Sequence, residues 1–95
     1  MKQVILDGTG IFSRDQLHDA LQQSLSLPQW YGRNLDALFD CLTDIAEPVQ
    51  LTLQGRLALR VHLGRYAESL ERVLKRAAQE NEKFTLQMQS YRIEK

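Results

Sequence analysis

The sequence predicts an α/β fold: a small three-stranded parallel sheet with three main helices packed on it and space for a fourth short one. Three observations carry this. Strand-like runs near residues 4–6, 49–54 and 84–88 are separated by segments of helical periodicity. Their order, β-α-α-β-α-β, puts helical crossovers between strands, which requires parallel pairing. The 95 residues, 43% apolar and 25% charged, suit a single domain spanning 1–95 with one core.

Each element has a local reason. Val4-Ile5-Leu6 is a continuous apolar run closed by Asp7-Gly8, the pattern of a buried first strand. Ser13-Arg14-Asp15-Gln16 reads as a capping box, with Ser13 as N-cap and Gln16 at N3, and Phe12 and Leu17 are spaced as a hydrophobic staple. Leu17, Ala20, Leu21 and Leu25 follow at helical spacing, so a first helix spans about 14–25. Pro28 stops it from continuing. Asn34 suits the cap of a second helix with Leu35, Leu38, Leu42 and Ile45 on its apolar side, and Pro48 ends that segment. Val49–Gln54 alternates with period two, a strand with one wetter face. Residues 56–63 are ambiguous and compatible with a short helix. Tyr66, Leu70, Val73, Leu74, Ala77 and Ala78 form the clearest helical stripe, running to about Asn81. Phe84–Met88 alternates again as a third strand.

Composition narrows the function. The lone cysteine, Cys41, excludes an internal disulfide. It lies toward the apolar side of the second helix and is expected to be a buried small hydrophobe. No apolar run approaches the roughly 18 residues of a membrane helix, and the first apolar run is too short for a signal peptide. The expectation is a cytoplasmic protein without a membrane partner. Formal net charge is zero, yet residues 1–50 hold three bases against seven acids and residues 51–95 nine against five. The halves are therefore −4 and +4, and such a dipole steers charged partners.

The acids concentrate on the second helix. With Asp36 at 0°, Asp40 falls at about 40°, Asp44 at about 80°, Thr43 at about −20° and Phe39 at about −60°, opposite the apolar side. A solvated helix face accounts for such charges without function. Asp36 also favours the helix dipole from the first turn. Asp40 and Asp44 do not, and like charges at i,i+4 cost roughly 0.2–0.5 kcal/mol per pair. The functional alternative is an anion-mimicking face whose carboxylates fill sites meant for phosphates, held by Arg and Lys of a nuclease. The preceding Pro28-Gln29-Trp30-Tyr31-Gly32-Arg33-Asn34 puts two adjacent aromatics on a turn, with one expected to plug the core and at least one to be exposed as a binding anchor.

The segment Leu27-Pro28-Gln29-Trp30-Tyr31-Gly32-Arg33-Asn34-Leu35-Asp36-Ala37-Leu38-Phe39-Asp40-Cys41-Leu42-Thr43 closely resembles the central motif of the barstar family, intracellular inhibitors of barnase-type ribonucleases. The order of elements is similar across nearly the whole chain, including Ala67-Glu68-Ser69 opening the last long helix. The resemblance implies a barstar-like fold and a stoichiometric inhibitor without chemistry of its own. Its acidic helix and aromatic loop would block the active site of a small secreted ribonuclease, 1:1, and the free protein would be a monomer that protects the producing cell. By motif position, Asp40 matches the acid that fills the enzyme's phosphate site. Asp36 matches a second contact acid, and Trp30 an aromatic packed on the catalytic histidine. Tyr31, Gly32, Asn34, Leu35, Phe39 and Thr43 match further contact positions. Trp30 and Phe39 are aromatic exchanges, whereas Arg33 and Arg76 replace acids, and Asp44 and Ile45 replace Gly and Trp. With the rim rewritten, Arg76 and Asp44 belong to the expected contact surface, and the cognate partner is expected to differ from barnase.

Other chemistry is less well supported. His18 is expected on the polar side of the first helix and His62 lies in the ambiguous segment. Neither forms a nucleophile–base motif with Cys41 or a serine, so no catalytic site is expected. No cofactor or metal is expected: Asp36 and Asp40 lack a third ligand, and no glycine-rich phosphate loop or CxxC pair occurs. The alternatives are an RNA-binding module using Arg56, Arg60, Arg65, Arg72, Lys75 and Arg76 of the basic half, or an immunity protein for a toxin other than a ribonuclease.

Overall fold

The strands order themselves β1 (Lys2–Asp7), β2 (Val49–Gln54), β3 (Phe84–Met88), all parallel, with β2 in the centre. This computed structural model describes residues 1–89. Register aligns Val4 with Leu51 and Leu86, and Leu6 with Leu53 and Met88. Those residues lie on the sheet face that the helices cover. Along β2, Val49, Leu51 and Leu53 are buried while Gln50, Thr52 and Gln54 are half-buried, as the alternation predicted. β1 departs from its expected burial: Ile5 is 60% exposed on the opposite face. The pleat turns every second side chain outward, and there the neighbours are polar, with Gln50 donating to Gln87 at 2.7 Å.

The described residues also hold four α-helices, α1 (Arg14–Leu25), α2 (Leu35–Thr43), α3 (Arg56–Leu63) and α4 (Arg65–Glu80), and one 3-10 turn at Gly8–Gly10. The ambiguous segment is thus a helix. α1 packs on β1, and α4 packs on β3, α2 and α3. One core joins them, built from Leu17, Leu21, Leu38, Leu42, Leu59, Leu70, Leu74 and Phe84 with the inward residues of the strands. No helix among the described residues is long and apolar enough to cross a membrane.

Local signals place the helix ends. The Ser13 hydroxyl accepts from the Gln16 N–H at 3.1 Å, while Gln16 reaches back one residue further than a capping box requires, accepting from the Phe12 N–H at 2.7 Å. Phe12 stays exposed, and its ring stacks on His62 of α3 at 4.2 Å. The β2–α3 turn needs glycine twice. Gly55 has φ +62°, and a Cβ at Gly8 would lie 2.5 Å from the Gly55 carbonyl oxygen.

A buried ion pair ties the far side together. Arg56 donates through Nη2 and Nε to the Glu71 carboxylate at 2.8 and 3.2 Å, and through Nη1 to the Gln89 carbonyl at 2.8 Å. α3, α4 and the end of β3 meet there. Removing one side of such a buried, bidentate pair costs on the order of 3–5 kcal/mol. Arg56→Ala is expected to lower the unfolding free energy by about that amount, read from the denaturant midpoint at unchanged m-value.

Candidate functional site

The site grows out of the loop between α1 and α2. α1 ends at Leu25 with Ser26 in the left-handed region, and the loop is then fastened back onto the helix it leaves. Gln22 donates to the Pro28 carbonyl at 2.9 Å. Arg33, itself at φ +56°, donates to Gln22 Oε1 at 3.2 Å and to the Asp15 carbonyl at 3.0 Å, and pairs with Asp19 at 2.8 Å. Asn34 then caps α2: its Oδ1 accepts from the Ala37 N–H at 2.8 Å and its Nδ2 donates to the Gly32 carbonyl at 3.2 Å.

Between these ties the two aromatics diverge. Tyr31 is only 4% exposed and Trp30 is 79% exposed. The Tyr31 side chain therefore stands inside the fold and holds the loop, not on the expected contact surface. Its hydroxyl meets His18 Nδ1 at 2.5 Å, and the opposite ring nitrogen of His18 meets the Tyr66 hydroxyl of α4 at 2.7 Å. A neutral imidazole offers one donor and one acceptor, so one tyrosine donates to it and the other accepts from it.

This corrects the expectation for His18, which is 2% exposed and faces inward. The signal was present in the sequence: on a helical wheel His18 lies about 20° from Leu25, at the edge of the apolar stripe. Burial lowers the His18 pKa below its ordinary 6.5, reinforced by Arg33 and opposed by Asp15 and Asp19. Burial likewise pushes Tyr31 and Tyr66 upward. Cys41 is half-buried, not buried as expected; burial first, then Asp40 and Asp44, raise its thiol pKa.

On α2, Asp36, Asp40 and Asp44 are exposed while Leu38 and Leu42 are buried, as the wheel predicted. Leu35 is half-buried and Gly32 and Asn34 are exposed. Thr43 spends its hydroxyl on the carbonyls of Phe39 and Asp40, at 3.0 and 3.1 Å. Half-buried Phe39 lies under the Arg76 guanidinium, 4.9 Å from the ring centroid, which brings α4 to the edge of the acidic face. The ion pairs sort the acids. Asp15, Asp19, Glu68, Glu71 and Glu80 are each paired with an arginine. Among the described residues, Asp36, Asp40 and Asp44 have no such partner. Nor, among the described residues, do three His, Cys, Asp or Glu side chains group closely enough to hold a metal ion.

A match to the profile of the barstar family, described as barstar (barnase inhibitor), covers residues 1–90. The chain belongs to the barstar family. It is also similar to the Bacillus subtilis (strain 168) protein named "Putative ribonuclease inhibitor YrdF", 40% identical over 81 residues, 84% of this chain and 89% of that one. Barstar-family proteins are inhibitors, so this chain is a binding protein and not an enzyme.

The buried imidazole makes stability depend on pH. Above pH 6.5 His18 is neutral in both folded and unfolded chains. As the pH falls below 6.5 the unfolded chain takes up a proton that the folded chain refuses, so stability drops until the depressed folded pKa is reached. Denaturant titrations at several pH values are expected to show this loss in the wild type. His18→Gln is expected to start lower at pH 8 and to show a flatter profile below 6.5.

Proposed function

We propose that this protein is a single-domain, stoichiometric inhibitor of a small ribonuclease, and that α2 with its preceding loop enters the enzyme's active site. The observation that carries the reading is the sorting of charge. The acids of α1 and α4 are neutralised within the fold, whereas those of α2 stand on one rigid face without internal partners. A ribonuclease holds its substrate's phosphates with Arg and Lys, and a row of carboxylates spaced along a helix satisfies the same donors. Asp40, near the middle of the face, takes the phosphate position. Asp36 and Asp44 extend the contact along the axis, by about 6 Å to either side. Gly32, Asn34, Leu35, Phe39, Thr43 and Arg76 surround it, and Trp30 provides the aromatic anchor. The inhibitor binds 1:1 as a monomer and acts in the cytoplasm of the cell that makes the nuclease.

The RNA-binding alternative draws less support. Arg56, Arg60 and Arg76 are each engaged by a glutamate, so half of the six basic side chains this alternative uses are already paired within the protein. An immunity role against another toxin shares the same surface and is separated by what the captured partner cleaves.

Truncating one side of a desolvated charge pair costs on the order of 2–5 kcal/mol, because the partner's charge is left unpaired. Asp40→Ala is therefore expected to weaken binding roughly 30- to 4,000-fold while leaving the unfolding midpoint almost unchanged, since the side chain is exposed. Pull-down with wild-type and Asp40→Ala baits, followed by ribonuclease and DNase assays of refolded eluates, checks both. Ribonuclease retained only by the wild type supports the reading, and equal retention by both baits moves the interface elsewhere.

A further inference from the structure

A second feature borders the acidic face. Between the loop and the C-terminal end of α2 runs an open groove of about 220 Å³. Leu27, Ile45 and Cys41 give it an apolar lining, Trp30 stands at one side, and Asp44 brings a carboxylate. An indole 79% exposed at a groove is a large apolar surface left to water. Asp44 caps the C-terminus of α2, where the helix dipole and Asp40 four residues earlier both disfavour a negative charge. Among the described residues it has no ion-pair partner to offset this.

We propose that this groove receives one arginine side chain from the rim of the bound ribonuclease, its guanidinium held between the Trp30 ring and the Asp44 carboxylate. The two walls select that group. Indole is the strongest aromatic partner for a cation, and a planar guanidinium can stack on it while its edge donates to a carboxylate. The methylene stem covers Leu27 and Ile45 as the charged head stays at the rim. A lysine ammonium lacks the flat face and is held more tightly by water. A neutral apolar side chain would strip water from Asp44 without replacing its hydrogen bonds. The groove shares Asp44 with the row of acids on α2 and its C-cap, and the cleft of an enzyme that grips phosphates is bordered by basic residues. The inference rests on the reading of α2 as the ribonuclease-facing surface.

Trp30 is the chain's one tryptophan, so its indole N–H gives an unambiguous NMR signal. Titration of the free protein with N-acetyl-arginine methylamide is expected to shift that signal saturably. The citrulline analogue, similar in shape and uncharged, is expected to bind at least about fivefold more weakly, as is the arginine compound to Asp44→Asn. Equal responses to the two compounds, an unchanged response in Asp44→Asn, or no saturable shift would overturn the proposal. Inhibition of the captured ribonuclease by Trp30→Leu, Asp44→Asn and the double variant adds a coupling test. Two walls gripping one guanidinium make the double loss smaller than the product of the single losses; a full product counts against the groove. Asp40→Ala in the same assay keeps the two claims apart. If it abolishes inhibition while the groove losses simply multiply, the groove fails and the inhibitor reading stands. If Asp40→Ala inhibits normally, the inhibitor site itself is misassigned.

Discussion

A buried imidazole ties the loop between α1 and α2 to the body of the protein. His18 sits on α1, accepts or donates at Tyr31 in the loop, and does the converse at Tyr66 on α4. Three segments distant in sequence are thereby joined at a buried point. The tie also fixes the loop's outward face. Adjacent side chains on an extended turn diverge, so once Tyr31 is committed inward, Trp30 is committed outward. The Gln22–Pro28 and Arg33–Asp19 contacts secure the loop on either side of that point. A loop ordered before its partner arrives loses little entropy on binding, and α2 presents its carboxylates on the same terms.

Charge is distributed so that a molecule of zero net charge can still present an acidic face. Arg56, Arg60 and Arg76 are matched by glutamates on α4, and Arg33 is matched by the acids of α1. Asp36, Asp40 and Asp44, on α2 and its C-cap, have no ion-pair partner among the described residues. The field that a partner meets at close range is set by these local pairings more than by total charge. At the edge of that face, Arg76 rests on Phe39 and adds a positive border. On the proposed reading, a ribonuclease fitted to this surface must tolerate or match a cation there, which narrows the set of partners.

Elements that depend on near neighbours follow from the chain alone. The caps at Ser13 and Asn34, the stop before Pro28, the alternation of β2 and the outward placement of Asp36, Asp40 and Asp44 each follow from spacing within a turn or two. The candidate site was legible to the same extent, because α2 carries its charges and its core contacts on fixed opposite sides. Contacts between distant segments set the rest. Ile5 is exposed because all the helices pack on one face of the sheet, which no local run reveals. Which of Trp30 and Tyr31 is buried depends on His18 and Tyr66, and the latter lies 48 residues from the histidine it meets. Arg56 meets Glu71, 15 residues away, only when α3 and α4 fold together. Local backbone preferences act over a few residues, whereas buried polar groups must find partners wherever the packed elements place them. Helix faces could therefore be read from the chain, and the hydrogen-bonded and ionic pairs inside it only from the fold.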